Sequence, residues 1–208
     1  MKKLESTITN MVLVLVGVAL ITGGILAYVN NATEEPIKLQ AQKTLSDGIK
    51  SVMGGVELTV AKDDTLKQTV GGKEQIFVIH ETVGADKQPL GAAVESTTSG
   101  FGGDLKVLVG FDTEGKILGY TILQHSETPG LGAKADKWFQ QDGKGSIIGK
   151  HPETDNLTVT KDGGTVDAIT ASTITSRAFL LAVNQAYKAY KSQPVDAHTG
   201  ATGKYNNK

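Results

Sequence analysis

The chain contains no cysteine among its 208 residues. This absence excludes disulfide bonds, thiolate-ligated iron–sulfur clusters, a thiol nucleophile and a lipid-modified N-terminal cysteine. Aromatic residues make up only 5% of the chain, so the core is expected to be mainly aliphatic. Neither sign of charge is in excess, because 21 basic side chains are matched by 22 acidic ones. A nucleic-acid partner is not expected, since it would require a clustered basic surface.

Metal and hydrolase chemistry have little support in the sequence. The histidines do not show metal-ligand spacing with one another, and there is no cysteine to complete a site. No serine lies in the strand–turn–helix context of a nucleophile elbow. The sequence therefore predicts no metal site and no hydrolytic site. The histidines are His80, His125, His151 and His198.

What the chain does contain is one long apolar run near its N-terminus. Residues 6–33 carry no charged side chain, and the apolar run Met11–Val29 is interrupted only by Thr22 and glycines. As a helix, this run would be about 28 Å long, close to the hydrocarbon thickness of a membrane. A cleaved signal peptide would need a shorter apolar core and a small-x-small site, which residues 27–31 do not offer. We therefore expect a single uncleaved transmembrane anchor over residues 11–29.

The charges that flank this anchor predict its orientation. Lys2 and Lys3 precede it, and Glu34 and Glu35 follow it. Positive charge stays on the cytoplasmic side of a membrane. We expect a single-pass protein of the bacterial inner membrane, with residues 1–10 in the cytoplasm and the main domain in the periplasm.

The next segment has the pattern of a membrane-proximal helix and linker, residues 30–56. Thr33 is a candidate N-cap, with acidic residues and Pro36 in the first turn, and apolar residues then recur at helical spacing as far as Val52. The pair Gly54 and Gly55 is expected to end this helix.

Residues 57–191 read as one extracytoplasmic domain, and residues 192–208 as a flexible polar tail. The pattern predicts an antiparallel meander with a hairpin turn at Asp112–Gly115, while residues 57–69 are ambiguous between a strand and a turn. A short helix, a hairpin and a longer helix as far as Tyr190 are expected afterwards. The fold class is therefore α+β, in which a transmembrane helix precedes an antiparallel sheet with flanking helices. The strands are predicted at 75–83, 90–97, 105–112 and 116–124, the short helix at 135–141, and the hairpin at 156–160 and 165–169.

Small and hydroxyl-bearing residues cluster over 167–177, where the chain enters this last helix. Such a cluster has two interpretations. It is a Ser/Thr-rich helix cap, which is common. Alternatively, its small residues and the helix N-terminus form a phosphate site. Two glycine-rich loops, 98–104 and 127–134, accompany it, and neither has the Gly-Lys-Ser/Thr of a P-loop.

Asp167-x-x-Thr170-Ala171-Ser172-Thr173-x-Thr175 resembles the flavinylation motif of the FMN-binding domain family. The resemblance implies that FMN is joined through its phosphate to Thr173 as a threonine phosphoester. The glycine loops and their order along the chain also resemble this family. One departure is Ala171, which stands where the family usually has glycine, so a backbone angle that requires glycine would be disfavoured there.

The resemblance also implies further cofactor-binding residues around Thr173. For Glu127 and His125, a flavin contact and an ordinary loop hydrogen bond remain equal alternatives, whereas Trp138 and Phe139 are expected to be core residues. Thr202 lies in a second, incomplete copy of the motif that lacks the last hydroxyl and the following helix, so Thr173 is favoured. The further residues are Thr170, Ala171, Ser172, Thr175, Ser176, Gly102, Glu127, Thr128, Gly130, Leu131 and Gly132.

The anchor, the length and the order of the motifs resemble the RnfG family of the Rnf ion-translocating electron transport complexes. This resemblance implies an electron relay through covalent FMN in a ferredoxin:NAD oxidoreductase. The expected partners are other membrane subunits and iron–sulfur subunits, with a separate flavin transferase for maturation. One alternative is the related C-type component of a sodium-translocating NADH:quinone oxidoreductase, which is usually longer. The others are another extracytoplasmic FMN-binding electron-transfer protein and a tethered binding domain without flavin.

Overall fold

A computed structural model describes residues 7–70 and 73–195 of the chain. Residues 71–72 lie outside these described residues, as do the N-terminal lysines. Most of the predicted tail, including Thr202, also lies outside them.

The chain divides after Thr44 into two units. Helix α1, Ile8–Val52, is continuous over 45 residues. The expected start of a new helix at Thr33 is wrong, because the Thr33 hydroxyl donates to the carbonyl of Val29 at 2.8 Å, inside an existing helix. Pro36 is tolerated within the helix. It removes one N–H donor, but helical residues on both sides maintain the helix.

The N-terminal part of α1 has the properties expected of a membrane span. Its most apolar window of 18 residues contains no buried side chain. The Leu, Ile and Val side chains of this part of the helix are exposed on its surface. Within the part of the chain that the structure describes, this is the one helix that is long and apolar enough to cross a membrane. Such a surface is stable in lipid rather than in water.

The second unit is built on a five-stranded antiparallel sheet in which each strand pairs with the next along the chain. The predicted meander is confirmed, and the ambiguous segment 57–69 is part of one strand. Pairing with the apolar second strand explains this, because it supplies backbone partners and lets Leu66 pack on the core. The strands are β1 Leu58–Val70, β2 Lys73–Gly84, β3 Pro89–Ser99, β4 Asp104–Phe111 and β5 Ile117–Gln124.

Residues 173–190 form the long C-terminal helix, which packs across one face of the sheet. Phe179 meets the ring of Tyr120 edge-on, with ring centroids 4.7 Å apart. The hydroxyl of Thr98, near the end of β3, donates to the carbonyl of Ala178 at 2.9 Å. These contacts place the N-terminal turns of the helix beside the loop that follows β3.

The last turns of α1 pack on the opposite face of the sheet. Ile49 and Val52 are buried there against apolar residues of β3 and β4. The backbone of Val52 comes so close that a Cβ at Gly110 would lie 2.3 Å from its carbonyl oxygen. As predicted, the helix ends at a glycine pair, where Gly55 donates to the carbonyl of Lys50 at 2.9 Å.

The short helix, α2, covers Ala135–Trp138 and is preceded by a 3₁₀ turn at Gly132–Lys134, so the predicted helix 135–141 is too long. The hydroxyl of Tyr120 explains the early end. It donates to the carbonyl of Ala135 at 2.6 Å and accepts from the N–H of Phe139 at 3.2 Å. The side chain thus replaces the helical bond between these two backbone groups. The long helix Thr173–Tyr190 is α3.

The predicted hairpin of 156–160 and 165–169 is wrong. A single parallel bridge joins Val159 to Val166, and Thr160–Asp162 form a 3₁₀ turn. Three residues in a tight helical turn fold the chain back too compactly for two extended strands to pair. The α+β fold as a whole is confirmed.

Candidate functional site

The segment before α3 forms a turn that is closed by a backbone hydrogen bond and by the hydroxyl of Ser176, in the first turn of the helix. The N–H of Ser172 donates to the carbonyl of Ile169 at 3.0 Å. The hydroxyl of Ser176 donates to the carbonyl of Ser172 at 3.0 Å and accepts from the N–H of Ile169 at 2.9 Å. Ser172 is the N-cap residue, but its side chain makes no cap hydrogen bond. The first N–H groups of α3 therefore have no side-chain cap from this residue.

Thr173 is the first residue of α3 and is partly exposed. Its environment differs from that of the neighbouring hydroxyl residues. Thr175 and Ser176 are 1% and 0% exposed, and both hydroxyls are bonded to protein groups. Among the described residues, no hydrogen bond involves the hydroxyl of Thr173. Thr173 thus lies partly exposed at the positive end of the helix dipole, which favours a phosphate.

Ala171 lies in a strained turn directly before the N-cap. Its φ is 61°, in the left-handed region that glycine adopts at no steric cost. Such an angle is expected from the sequence to be disfavoured at an alanine, but the structure has it at Ala171, where the side chain makes it costly. Thr170 and Ala171 are both exposed, so the strained peptide lies at the surface beside Thr173.

Glu127 is 6% exposed and joins the two glycine loops to α3. Its Oε1 accepts from the N–H of Phe101 at 2.7 Å and from the N–H of Gly102 at 3.3 Å. Its Oε2 accepts from the hydroxyl of Thr175 at 2.8 Å. The loop hydrogen bonds expected as one alternative for Glu127 are present, and a flavin contact stays a prediction.

The turn after Glu127 is exposed over Thr128–Leu131 and closes on itself. The carbonyl of Thr128 accepts from the N–H groups of Leu131 and Ala133 at 3.1 and 3.3 Å. Gly130 has a φ of 77°, and Gly132 is buried against Glu127. This turn presents the side chain of Leu131 to solvent, with 41% exposure.

Phe101 was missing from the residues predicted for the site. It is 69% exposed at the tip of the first glycine loop. In a chain with few aromatic residues, a phenylalanine between glycines is the sequence signal that could have identified it. Phe101 and Leu131 together give the site two exposed apolar side chains, one from each loop that Glu127 connects.

The aromatic residues after the second loop belong to the core, as expected. Phe139 is fully buried and stacks on Phe179 with centroids 4.3 Å apart. Trp138 is partly buried, and its Nε1 donates to the carbonyl of Asp167 at 2.8 Å. The first residue of the motif is thereby attached to α2. The Nδ1 of His125 accepts from the N–H of Glu127 at 3.2 Å, so this histidine also has a role within the loop.

One ion pair strengthens the second turn of α3. The guanidinium of Arg177 donates to both carboxylate oxygens of Asp162, each at 2.7 Å. The hydrogen bond from Arg177 holds the pKa of the Asp162 carboxyl below its usual range. The pair joins the 3₁₀ turn at Thr160–Asp162 to the helix that carries Thr173. Within the described residues, no group of three or more His, Asp or Glu side chains could hold a metal ion.

Comparison with known proteins identifies two families along the chain. Residues 100–188 match the FMN-binding domain family, and residues 1–52 match the RnfG N-terminal region. A protein from Vibrio parahaemolyticus, named as the G component of an ion-translocating oxidoreductase complex, is 37% identical over 196 residues, covering 84% of this chain and 89% of the relative. The chain belongs to the RnfG family.

Other members of the RnfG family agree with this assignment. Proteins of the same name are 36% identical in Shewanella baltica over 177 residues and 34% identical in Yersinia pestis over 179 residues. These alignments cover 81% and 78% of this chain, and 82% and 80% of the relatives. The match to the RnfG N-terminal region ends at Val52, which is also the last residue of α1.

The FMN-binding match includes every cofactor-binding residue predicted from the sequence and excludes Thr202. The structure places Gly102, Gly132 and Thr175 against Glu127. The N–H of Gly102 and the hydroxyl of Thr175 donate to the Glu127 carboxylate, and Gly132 packs beside it. The residues that remain exposed or partly exposed are Gly102, Thr170, Ala171, Thr173, Thr128, Gly130 and Leu131.

Proposed function

We propose that this chain is the membrane-anchored, electron-carrying flavoprotein of an Rnf-type ion-translocating oxidoreductase. Three findings support this function. The relatives are named as the G component of such complexes, the C-terminal region matches the FMN-binding domain family, and α1 includes an apolar segment of membrane-spanning length. The protein carries electrons for the complex and is not a catalyst by itself.

The finer proposal is that FMN is bound covalently through its phosphate to Thr173. The observation that carries it is the difference between the hydroxyls at the start of α3. Thr175 and Ser176 are buried and bonded to protein, whereas Thr173 is partly exposed on the first helical residue. A phosphoester at this point would meet N–H groups of α3 that Ser172 does not cap.

The residues around Thr173 fit the other parts of FMN as well. Phe101 and Leu131 offer exposed apolar surface from two loops that Glu127 connects to α3. An isoalloxazine ring is flat and largely apolar, and such rings bind against exposed apolar side chains. When bound, the flavin supplies one- and two-electron transfer, while the protein sets its position and polarity.

The covalent bond requires a second enzyme as a partner. In the proposed reaction the Thr173 oxygen bonds to the FMN phosphorus of FAD, the bond between the two phosphates of FAD breaks, and AMP leaves. The hydroxyl proton passes to a base of the transferase. We found no sequence signature of such a transferase in this chain.

The membrane topology gives the covalent bond a purpose. Lys2 and Lys3 before the anchor, against Glu34 and Glu35 after it, favour an N-terminus in the cytoplasm and an FMN-binding domain in the periplasm. Outside the cytoplasm, a dissociable flavin would be lost by dilution. A phosphoester retains it beside the other membrane and iron–sulfur subunits.

The experiment that tests the attachment uses the full chain, expressed with an FAD-dependent flavin transferase and purified in detergent. After denaturing electrophoresis, the wild-type band should fluoresce as flavin, and the Thr173→Ala variant should lose this fluorescence. The reason is that no other hydroxyl of this segment takes the position of Thr173, so the variant has no oxygen there to form the phosphoester.

The matched control is Thr202→Ala, which removes the corresponding hydroxyl of the incomplete second motif. This variant is expected to keep the fluorescent band. A fluorescent band in denatured Thr173→Ala would overturn the proposed attachment. A colourless wild-type protein after maturation would favour the tethered binding domain instead.

A further inference from the structure

Glu127 connects three segments that are distant in the chain. Its Oε1 binds the N–H groups of Phe101 and Gly102, which precede it by 26 and 25 residues. Its Oε2 binds the hydroxyl of Thr175, which follows it by 48 residues. No other described carboxylate is bonded to both the first glycine loop and α3. One buried side chain therefore holds both loops of the site at the first turn of the helix.

Two glycines leave the space that this carboxylate occupies. A Cβ at Gly100 would lie 2.1 Å from Oε1 of Glu127. A Cβ at Gly132 would lie 2.4 Å from Oε2 and 2.8 Å from the hydroxyl oxygen of Thr175. Real Cβ atoms do not approach other atoms this closely, so any side chain at either glycine would displace the carboxylate. The loops are thus glycine-rich where they close around Glu127.

The partners of Glu127 are all neutral. Two backbone N–H groups and one hydroxyl donate to it, and none of the ion pairs between described residues includes it. A carboxylate accepts hydrogen bonds at both oxygens and donates none, which suits a group surrounded by donors. Both oxygens of Glu127 are bonded to protein groups, so this side chain holds the two loops in place.

We propose that Glu127 is a positioning residue that, with Thr175, assembles the two loops over the flavin attached to Thr173. The proposal rests on the proposed function and concerns the geometry of the loaded site. The attachment itself does not depend on Glu127, because Ser176 and Ile169 build the turn before Thr173. Covalent loading and ordering of the flavin ring should therefore respond differently to substitution.

The test compares Thr175→Val and Glu127→Ala in the full chain, matured with the transferase in detergent. Thr175→Val keeps the shape of the side chain and removes the bond to Glu127. Thr175 is also the last hydroxyl of the motif, so covalent flavin per protein is measured for each variant and the signals that follow are expressed per bound flavin. The visible circular dichroism per bound flavin should fall by more than about half, because the loops no longer hold the ring in one orientation. The fluorescence anisotropy should fall with it.

Two further variants separate positioning from general destabilisation. Thr175→Ser retains the hydroxyl and should restore the wild-type dichroism. Thr82→Val removes another buried threonine hydroxyl, which donates to the carbonyl of Gly91 at 3.0 Å, away from the site. It should lower the melting temperature about as much as Thr175→Val and leave the flavin signals unchanged.

The results distinguish this proposal from the attachment. Wild-type dichroism and anisotropy per flavin in Thr175→Val would overturn the positioning role, and the attachment at Thr173 would stand. Equal loss of dichroism in Thr82→Val would also overturn it, since the effect would then be one of stability. Flavin fluorescence in denatured Thr173→Ala would instead remove the attachment. If Glu127→Ala does not fold, Thr175→Val decides the question.

Discussion

Two buried glutamates of the second unit are stabilised in different ways. Glu95, on the face of the sheet opposite α3, is 5% exposed and lies between His80 Nε2, at 3.1 Å, and the ammonium group of Lys106. Glu127, at the candidate flavin site, is 6% exposed and has only neutral donors. A buried carboxylate needs hydrogen-bonding or charged partners. Glu95 has charged partners, whereas Glu127 has neutral hydrogen-bond donors.

His80 makes the first arrangement clear. Its Nδ1 lies 2.6 Å from a carboxylate oxygen of Asp63, and its Nε2 faces Glu95. Two carboxylate acceptors are best matched by two N–H donors, so this geometry favours the imidazolium form of the ring. Burial by itself lowers the pKa of His80, but the hydrogen bonds to Glu95 and Asp63 outweigh it and raise this pKa above its ordinary value.

The pKa of Glu95 is shifted by the same two causes, burial and hydrogen bonding, but in the opposite direction. Burial raises it, but the hydrogen bonds from His80 and Lys106 outweigh burial and lower the pKa below its ordinary value. The sheet network therefore contributes stability that depends on charge. The Glu127 network contributes the arrangement of the two glycine loops beside α3.

The largest effect is expected for Glu95→Ala. This change leaves the imidazolium of His80 and the Lys106 ammonium without their shared carboxylate, and we expect a loss of about 3–5 kcal/mol in the free energy of unfolding. Urea unfolding of the full chain in detergent, followed by the fluorescence of its single tryptophan, measures it. The control is Glu81→Ala, at an exposed position of the neighbouring strand β2, which should change stability by less than about 0.5 kcal/mol. Equal losses in the two variants would contradict the charge network.

The next prediction concerns pH. His80, with its raised pKa, contributes stability fully below its ordinary value of 6.5 and loses it as the pH rises through the raised pKa. Glu95, with its lowered pKa, contributes above its ordinary value of 4.5 and loses stability as the pH falls through the lowered pKa. Unfolding free energy should therefore be greatest between these values and fall on the alkaline side, by at most about 1.4 kcal/mol per pH unit from His80.

Substitution of the histidine tests the assignment of this slope. His80→Gln should be less stable at pH 6 and should lose the alkaline decline, because it has no proton to release. The measurement is a series of urea unfolding curves across pH for both proteins. A wild-type stability that stays constant above pH 6.5 would show that His80 is not the imidazolium inferred here.

The smallest effect is expected in the site itself, at Ala171. Ala171→Gly should stabilise the chain by about 1 kcal/mol, because the φ of 61° costs an alanine more than a glycine. Thermal unfolding followed by far-ultraviolet circular dichroism measures the gain. Ala168→Gly is the control in the same segment, where φ is not positive, and it should lower the melting temperature. A loss of stability in Ala171→Gly would indicate that the turn before α3 carries no strain.

Much of the fold could be predicted because periodicity reports local structure. The apolar run, the alternating strands and the helix after Thr173 each follow from the spacing of neighbouring residues. The continuous α1 could not be predicted, since Thr33 and Pro36 fit a helix start as well as a helix interior. In the structure, the hydroxyl of Thr33 donates to the carbonyl of Val29, four residues earlier, so Thr33 lies in the interior of α1.

The candidate site, too, could be predicted from the sequence only in part. The motif 167–175 and both glycine loops were evident from residue types. The bonds that join them, from Phe101 and Thr175 to Glu127, were not, and neither was the exposure of Phe101. Such contacts depend on how distant segments pack, and no local pattern encodes them.

The sequence by itself determined the membrane anchor, the order of strands and the hydroxyl-rich entry to α3, because each depends on residues close in the chain. The tertiary structure alone decided which hydroxyls of that entry remain accessible. Thr175 meets a carboxylate 48 residues away and is buried, while Thr173, two positions earlier, stays partly exposed at the end of the helix. The neighbours of a side chain across the fold, and not its neighbours in the sequence, determine whether it is buried in a hydrogen bond or stays exposed.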